Sequence, residues 1–226
     1  MSDVQSDQSG TQDGDNGTWD GSPVTINQDQ SKQLAPAPNG TLVFAYQNTG
    51  TTTSAGEVTL TAGGGQPTSL PAPAGTNQPE INVRNWKGNT LSVSNTSDSA
   101  TPIWIAAMGP GQKGVTPTNL PADGTSVTVD QGKAVQGTAV ARYMRLNLRA
   151  PSGNLTIFAI VGGPTDKGGN NAHVIAVNGQ DTVPEGYYAS TSNNYYSYEF
   201  NWGSATVFVA NLSPQASSGT VSLAQL

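Results

Sequence analysis

A chain of 226 residues, 35% apolar and 11% charged, can form two domains of about 100 residues or one large sandwich. Its short runs of β-branched and aromatic residues set it apart from disordered sequences. Cysteine is absent, which excludes disulfides and thiolate chemistry, and a net charge of −6 without a basic stripe argues against a nucleic-acid partner.

The charge is concentrated at the start. The first 29 residues hold six Asp and no Lys or Arg, whereas the remainder balances nine acids against nine bases. A body of near-zero net charge favours association. Residues 1–19 read as an acidic Gly/Asp/Gln-rich N-terminal tail in which Trp19 is the only large apolar group. The tail lacks the basic and apolar regions of a signal peptide. The expectation is synthesis in the cytoplasm without a signal peptide and a final place in a virion or on an extracellular surface. Residues 13–20 space oxygen ligands somewhat as a calcium loop does. They fall one residue short of that pattern, and no bidentate Glu follows at the twelfth position, so no metal is expected.

From Asp20 onward the chain repeats itself. Asp20-Gly21-Ser22-Pro23-Val24-Thr25-Ile26-Asn27-Gln28 matches Asp123-Gly124-Thr125-Ser126-Val127-Thr128-Val129-Asp130-Gln131 without a gap. In both, Asp-Gly makes a turn that Gly closes with positive φ, and a strand follows. Gly56–Leu60 resembles Gly153–Ile157, and Leu70-Pro71 and Val183-Pro184 occupy matching places. Asn85-Trp86 with Thr90, Val93, Asn95 and Ser97 matches Asn201-Trp202 with Thr206, Val209, Asn211 and Ser213, six identities in thirteen ungapped positions. The matches are collinear, which predicts two copies of one unit, residues 20–118 and 119–226, with Trp86 and Trp202 in equivalent buried positions.

Strands are expected at 23–28, 41–47, 57–62, 80–84, 89–95 and 102–108 in the first copy. In the second they fall at 125–130, 139–149, 153–161, 172–178, 194–202, 204–211 and 219–225. Met144, Leu146 and Leu148 alternate with Arg145, Asn147 and Arg149, the period of a half-buried antiparallel strand. Short strands with turn signals every 8–12 residues predict an all-β chain of two tandem, internally duplicated antiparallel β-sandwich domains, jelly-roll or Ig-like. No run approaches the roughly 18 apolar residues of a membrane span, so no membrane partner is expected.

Site chemistry is sparse. His173 is the only histidine, on a strand whose alternation turns it away from Ala172, Val174 and Ala176, so no histidine-based catalysis is expected. The body's acids lie scattered singly in turns, as at Asp98, Asp123, Asp166 and Asp181, and nothing singles out a catalytic pair. The chain is therefore expected not to be an enzyme and to use no cofactor. Seven of fifteen aromatics fall between Tyr187 and Trp202. Tyr196, Tyr198, Phe200 and Trp202 share one strand face and are expected in the core. Tyr187, Tyr188 and Tyr195 lie outside that register among Gly, Ser and Asn, a composition suited to sugar stacking or a protein interface.

Arg142, Arg145 and Arg149 crowd three of the four arginines into one expected strand. They make either a solvated face that blocks edge pairing or a receiver for the tail's carboxylates, with Trp19 as that tail's anchor. The sequence thus points to a non-enzymatic structural or interaction protein of a larger assembly. A virion decoration, a head-fibre or tail-type protein, or a surface-layer or filament subunit would fit, with itself or another subunit as partner. The alternative is a carbohydrate-binding, lectin-like module that uses the tyrosine loop on surface glycans.

Overall fold

The computed structural model describes residues 18–34, 41–50, 55–74, 79–85, 89–98, 100–149, 157–162, 172–177, 188–190, 195–201, 204–214 and 216–226. These are all-β, and no helix occurs among them. In chain order the strands are β1 Thr18–Trp19, β2 Val24–Ile26, β3 Ser31–Leu34, β4 Thr41–Asn48, β5 Gly56–Ala62, β6 Thr68–Ala72, β7 Glu80–Asn85, β8 Leu91–Asn95 and β9 Ile103–Met108. They continue as β10 Thr118–Asn119, β11 Val127–Asp130, β12 Ala134–Thr138, β13 Met144–Arg149, β14 Ile157–Gly162, β15 Ala172–Val177, β16 Tyr188–Ser190, β17 Tyr195–Phe200, β18 Thr206–Asn211 and β19 Ser218–Gln225.

The strands build four sheets. Sheet I runs β1-β3-β8-β5-β6 and sheet II runs β2-β9-β4-β7. Sheet III runs β10-β12-β18-β14-β15-β16 and sheet IV runs β11-β19-β13-β17. Strand for strand, III repeats the order of I and IV repeats that of II, with β16 as the one addition. Pairing is antiparallel except at β1/β3, β10/β12 and β15/β16, three short parallel contacts at sheet margins.

Alternation explains the two inner cores. Inward residues of sheets I and II, among them Leu34, Phe44, Tyr46, Leu60, Val93 and Ile105, form one cluster together with Trp19. Inward residues of sheets III and IV, among them Val135, Val209, Met144, Leu146, Leu148 and Leu223, form another. Two strands break the alternation: every residue of β9 is buried, and all of β18 after Thr206. Continuous apolar runs belong to strands covered on both faces.

A third cluster accounts for these runs. It joins Ala45, Ile81, Trp104, Ala106 and Met108 of sheet II to Ala134, Phe208, Ala210 and Leu212, on or just past the strands of sheet III. The sheets therefore stack in the order I, II, III, IV, with a dry joint between the middle two. Aromatic burial at such a joint contributes about 3–5 kcal/mol per ring on truncation.

Small side chains decide the close approaches. Gly132 takes φ +68°, and a Cβ there would lie 2.9 Å from Pro23 Cδ, so the β11–β12 turn fits against the start of the first sheet pair only without a side chain. The expected Asp-Gly turns are formed, with φ +86° at Gly21 and +89° at Gly124. Trp86 and Trp202 lie outside the described residues.

Candidate interaction surfaces

Buried polar groups come first: among the described residues Asn82 Oδ1 and Ser217 Oγ are buried without a hydrogen-bond partner, and the interior amides of Asn95 and Asn211 are fully bonded. Asn95 donates its amide to the carbonyls of Ile26 (2.9 Å) and Thr101 (2.7 Å), and accepts from the backbone N–H and hydroxyl of Ser97. Asn211 donates to Val129 (3.0 Å) and Ser217 (3.2 Å), and accepts from the N–H and hydroxyl of Ser213. Beside them Gln28 donates to the Ser97 carbonyl and Gln131 to that of Ser213. These amides tie the β8–β9 and β18–β19 connections, which cross from one sheet of a pair to the other, to the ends of β2 and β11. They are occupied by their own backbone and present nothing to a ligand.

The turn carboxylates do similar local work. Burial alone would raise the Asp20 pKa, but the hydroxyl and N–H of Ser22 donate to it and Lys133 lies nearby, so its carboxyl is held below the ordinary value. Asp123 is likewise lowered, by hydrogen bonds from Thr125. No group of three or more His, Cys, Asp or Glu able to hold a metal occurs among the described residues. His173 pairs through β15 with Val161.

The outer face of sheet IV carries the arginines. Arg145 donates through Nε (3.0 Å) and Nη2 (2.6 Å) to one carboxylate oxygen of Glu199, its cross-strand neighbour on β17. Next along the strand, Ser197 donates to Asn147 (2.9 Å) and Asn147 to Ser222 (3.3 Å), a ladder across three strands. Arg149 is exposed, in register with Tyr195 on one side and Thr220 on the other. It rims a shallow recess of about 230 Å³ with Ser126, Asn147 and Ser222.

Arg142 stands apart in the loop before β13, its guanidinium 5.4 Å from the centre of the Tyr143 ring. Tyr143, Val140 and Leu226 are the exposed large hydrophobics among the described residues, and Leu226 N–H donates to the Tyr143 carbonyl. A groove of about 490 Å³ lined by Leu120, Pro121, Gln136, Gly137 and Val140 opens beside this corner. The sequence places Val140 and Tyr143 inside the expected 139–149 strand, and Leu226 meets them only through the fold.

The other candidate residues separate. Trp19 is buried in the core between sheets I and II, donates its indole N–H to the Ser22 carbonyl (2.8 Å), and sits on β1 in register with Leu34. Phe200 is buried and Tyr196 and Tyr198 pack half-buried against the core, while Ser197 and Glu199 are exposed, as strand alternation requires. Tyr188 lies on β16 in register with Ile175, and Tyr195 opens β17 opposite Arg149. Tyr187 and the acidic residues 1–17 lie outside the described residues.

No protein-family profile and no curated protein matches the chain. Among solved structures, one match is CorA, a surface-associated copper-binding protein important in copper acquisition in Methylomicrobium album BG8. It is 8% identical, with a TM-score of 0.35, covering 50% of this chain and 98% of that one. A likeness of that degree assigns neither fold nor function.

Proposed function

We propose that the chain is two copies of one β-sandwich unit and serves as a non-enzymatic structural component of a larger assembly, such as a virion decoration, a head-fibre or tail-type protein, or a surface-layer or filament subunit. The duplication reading is supported by the shared strand order and by the equivalent bonding of Asn95 and Asn211. After β1 or β10, each copy runs first-eighth-third-sixth in one sheet and second-seventh-fourth-fifth in the other, leaving β16 aside. That is the order of a jelly roll, a fold that recurs in capsid and lectin domains; as analogy it favours both readings equally.

The observation that carries the structural reading is the use made of buried polarity. The interior amides of Asn95, Asn211 and Gln112 bond to the chain's own turns and strands, Asn82 Oδ1 being the interior amide atom without a partner among the described residues, and an apolar joint fuses the two sheet pairs into one stack. Such a body suits bearing load and presenting surfaces. Fractionation of native material tests this reading. An assembly subunit co-sediments with a large particle, whereas a lectin stays in the soluble fraction and selects sugars on a glycan array.

A further inference from the structure

The joint between sheets II and III is heterologous: the outer face of one sheet type meets the outer face of the other. The stack's two ends expose the same two sheet types, but with different residues. By register, sheet IV carries Asn147, Thr220 and Ser222 where sheet II carries Ala45, Trp104 and Ala106. Sheet I carries Ser31, Ser92 and Ser94 where sheet III carries Ala134, Phe208 and Ala210. End faces this polar cannot repeat the dry joint with another copy, just as terminal units of repeat proteins are made polar. An occupant of sheet IV must itself be polar.

What this face offers is an exposed guanidinium, Arg149, beside one that is already paired, Arg145. Arg145 and Arg149 point outward from β13 and Arg142 stands at its start. Against them are Glu199, which already takes Arg145, and Asp130 on the edge strand β11, which accepts from Ser218. Arg149 has no ion pair among the described residues. The chain contains one stretch of complementary chemistry: residues 1–17 hold Asp3, Asp7, Asp13 and Asp15 and no Lys or Arg. That stretch joins the body at Thr18–Trp19, on the edge of sheet I, at the opposite end of the stack.

We propose that the acidic N-terminal segment of one copy docks on the arginine face of sheet IV of a second copy, linking chains head to tail. The proposal rests on the reading of the chain as an assembly subunit and names its partner. Contacts of this heterologous kind extend into filaments or close into rings. Sheets pack about 10 Å apart, and seventeen extended residues span about 55 Å, so the segment can also reach its own sheet IV. The experiment has to separate the two.

Light scattering on the full chain across concentration and salt is the first measurement. Association should weaken about tenfold or more between low and high salt, since exposed charge pairs supply the steering. Two variants follow: deletion of residues 1–17, which leaves Trp19 in place, and Arg142→Gln with Arg149→Gln. Each alone should stay monomeric, with an unchanged melting temperature. Mixed in equal amounts they should form a dimer and stop there, because one supplies the acidic segment and the other the arginine face. If the deletion variant fails to fold, Asp→Asn at positions 3, 7, 13 and 15 replaces it. A wild type that stays monomeric at all concentrations, variants that associate as well as wild type, or a mixture that does not pair would overturn the proposal. Variants that still enter a native particle would leave the assembly reading standing while removing this contact.

Discussion

Asn95 and Asn211 make the same four hydrogen bonds in the two halves of the chain, two given to backbone carbonyls and two taken from a serine two residues on. Replacing either with Asp keeps the shape but turns two donors into acceptors facing carbonyls. Each change should cost about 2–4 kcal/mol, and the pair should add, because the sites share no partner. Denaturant unfolding of the single and double variants measures this. A loss at one site only would argue against equivalent roles.

The joint between sheets II and III can be broken without touching either inner core. Ala106 is fully buried there, and Ala106→Arg would bury a charge with no partner in the joint's apolar cluster, costing several kcal/mol. Calorimetry should show one cooperative transition for the wild type and two for the variant, each belonging to one sheet pair. Two transitions already present in the wild type would show that the joint does not couple the halves.

Asp20 sets a small dependence on acid. Its folded pKa lies below its ordinary 3.8, so the charged form is favoured by folding. That contribution is complete above the ordinary value and is lost as pH falls through the lowered one. Asp20→Asn should therefore be less stable than wild type at neutral pH, and the difference should shrink as pH falls below 3.8 and the carboxyl takes up its proton. Urea midpoints across pH give the comparison; a difference that persists in acid would assign the effect to shape.

The tyrosines provide the test between the two functional readings. Replacing Tyr187, Tyr188 and Tyr195 together with Ser should abolish binding to the partner, or to sugar if the lectin reading holds, with the melting temperature within about 2 °C of wild type. A large fall would place these rings in the core.

Much of the architecture was legible because alternation and turn chemistry survive in the sequence. The Met144–Arg149 alternation and both Asp-Gly turns are found as expected. What escaped were strands with little apolar signal. Ser31–Leu34 contributes one core residue, Thr68–Ala72 contains a proline, and Ala134–Thr138 contains Gly137. At Gly137 a Cβ would lie 2.4 Å from the Leu120 carbonyl oxygen, so tertiary packing selects the glycine against strand propensity. The expected 139–149 strand begins only at Met144, after a loop that exposes Val140 and Tyr143.

The joint has a trace in the sequence. Ile103–Met108 and Val207–Asn211 have no polar face, and a strand in a two-sheet domain with one face in water would have one. The match of Asn95-x-Ser97 with Asn211-x-Ser213 is legible in the sequence, but not their bonding, which depends on carbonyls distant in sequence. Arg145 was read as one of a row, and its partner Glu199 lies on a strand 54 residues on.

The proposal that this chain is an architectural subunit is tested by electron microscopy of native material labelled with an antibody against the body. Label is expected on an ordered particle, filament or layer, at regular intervals. Label confined to free, single molecules in solution would contradict it.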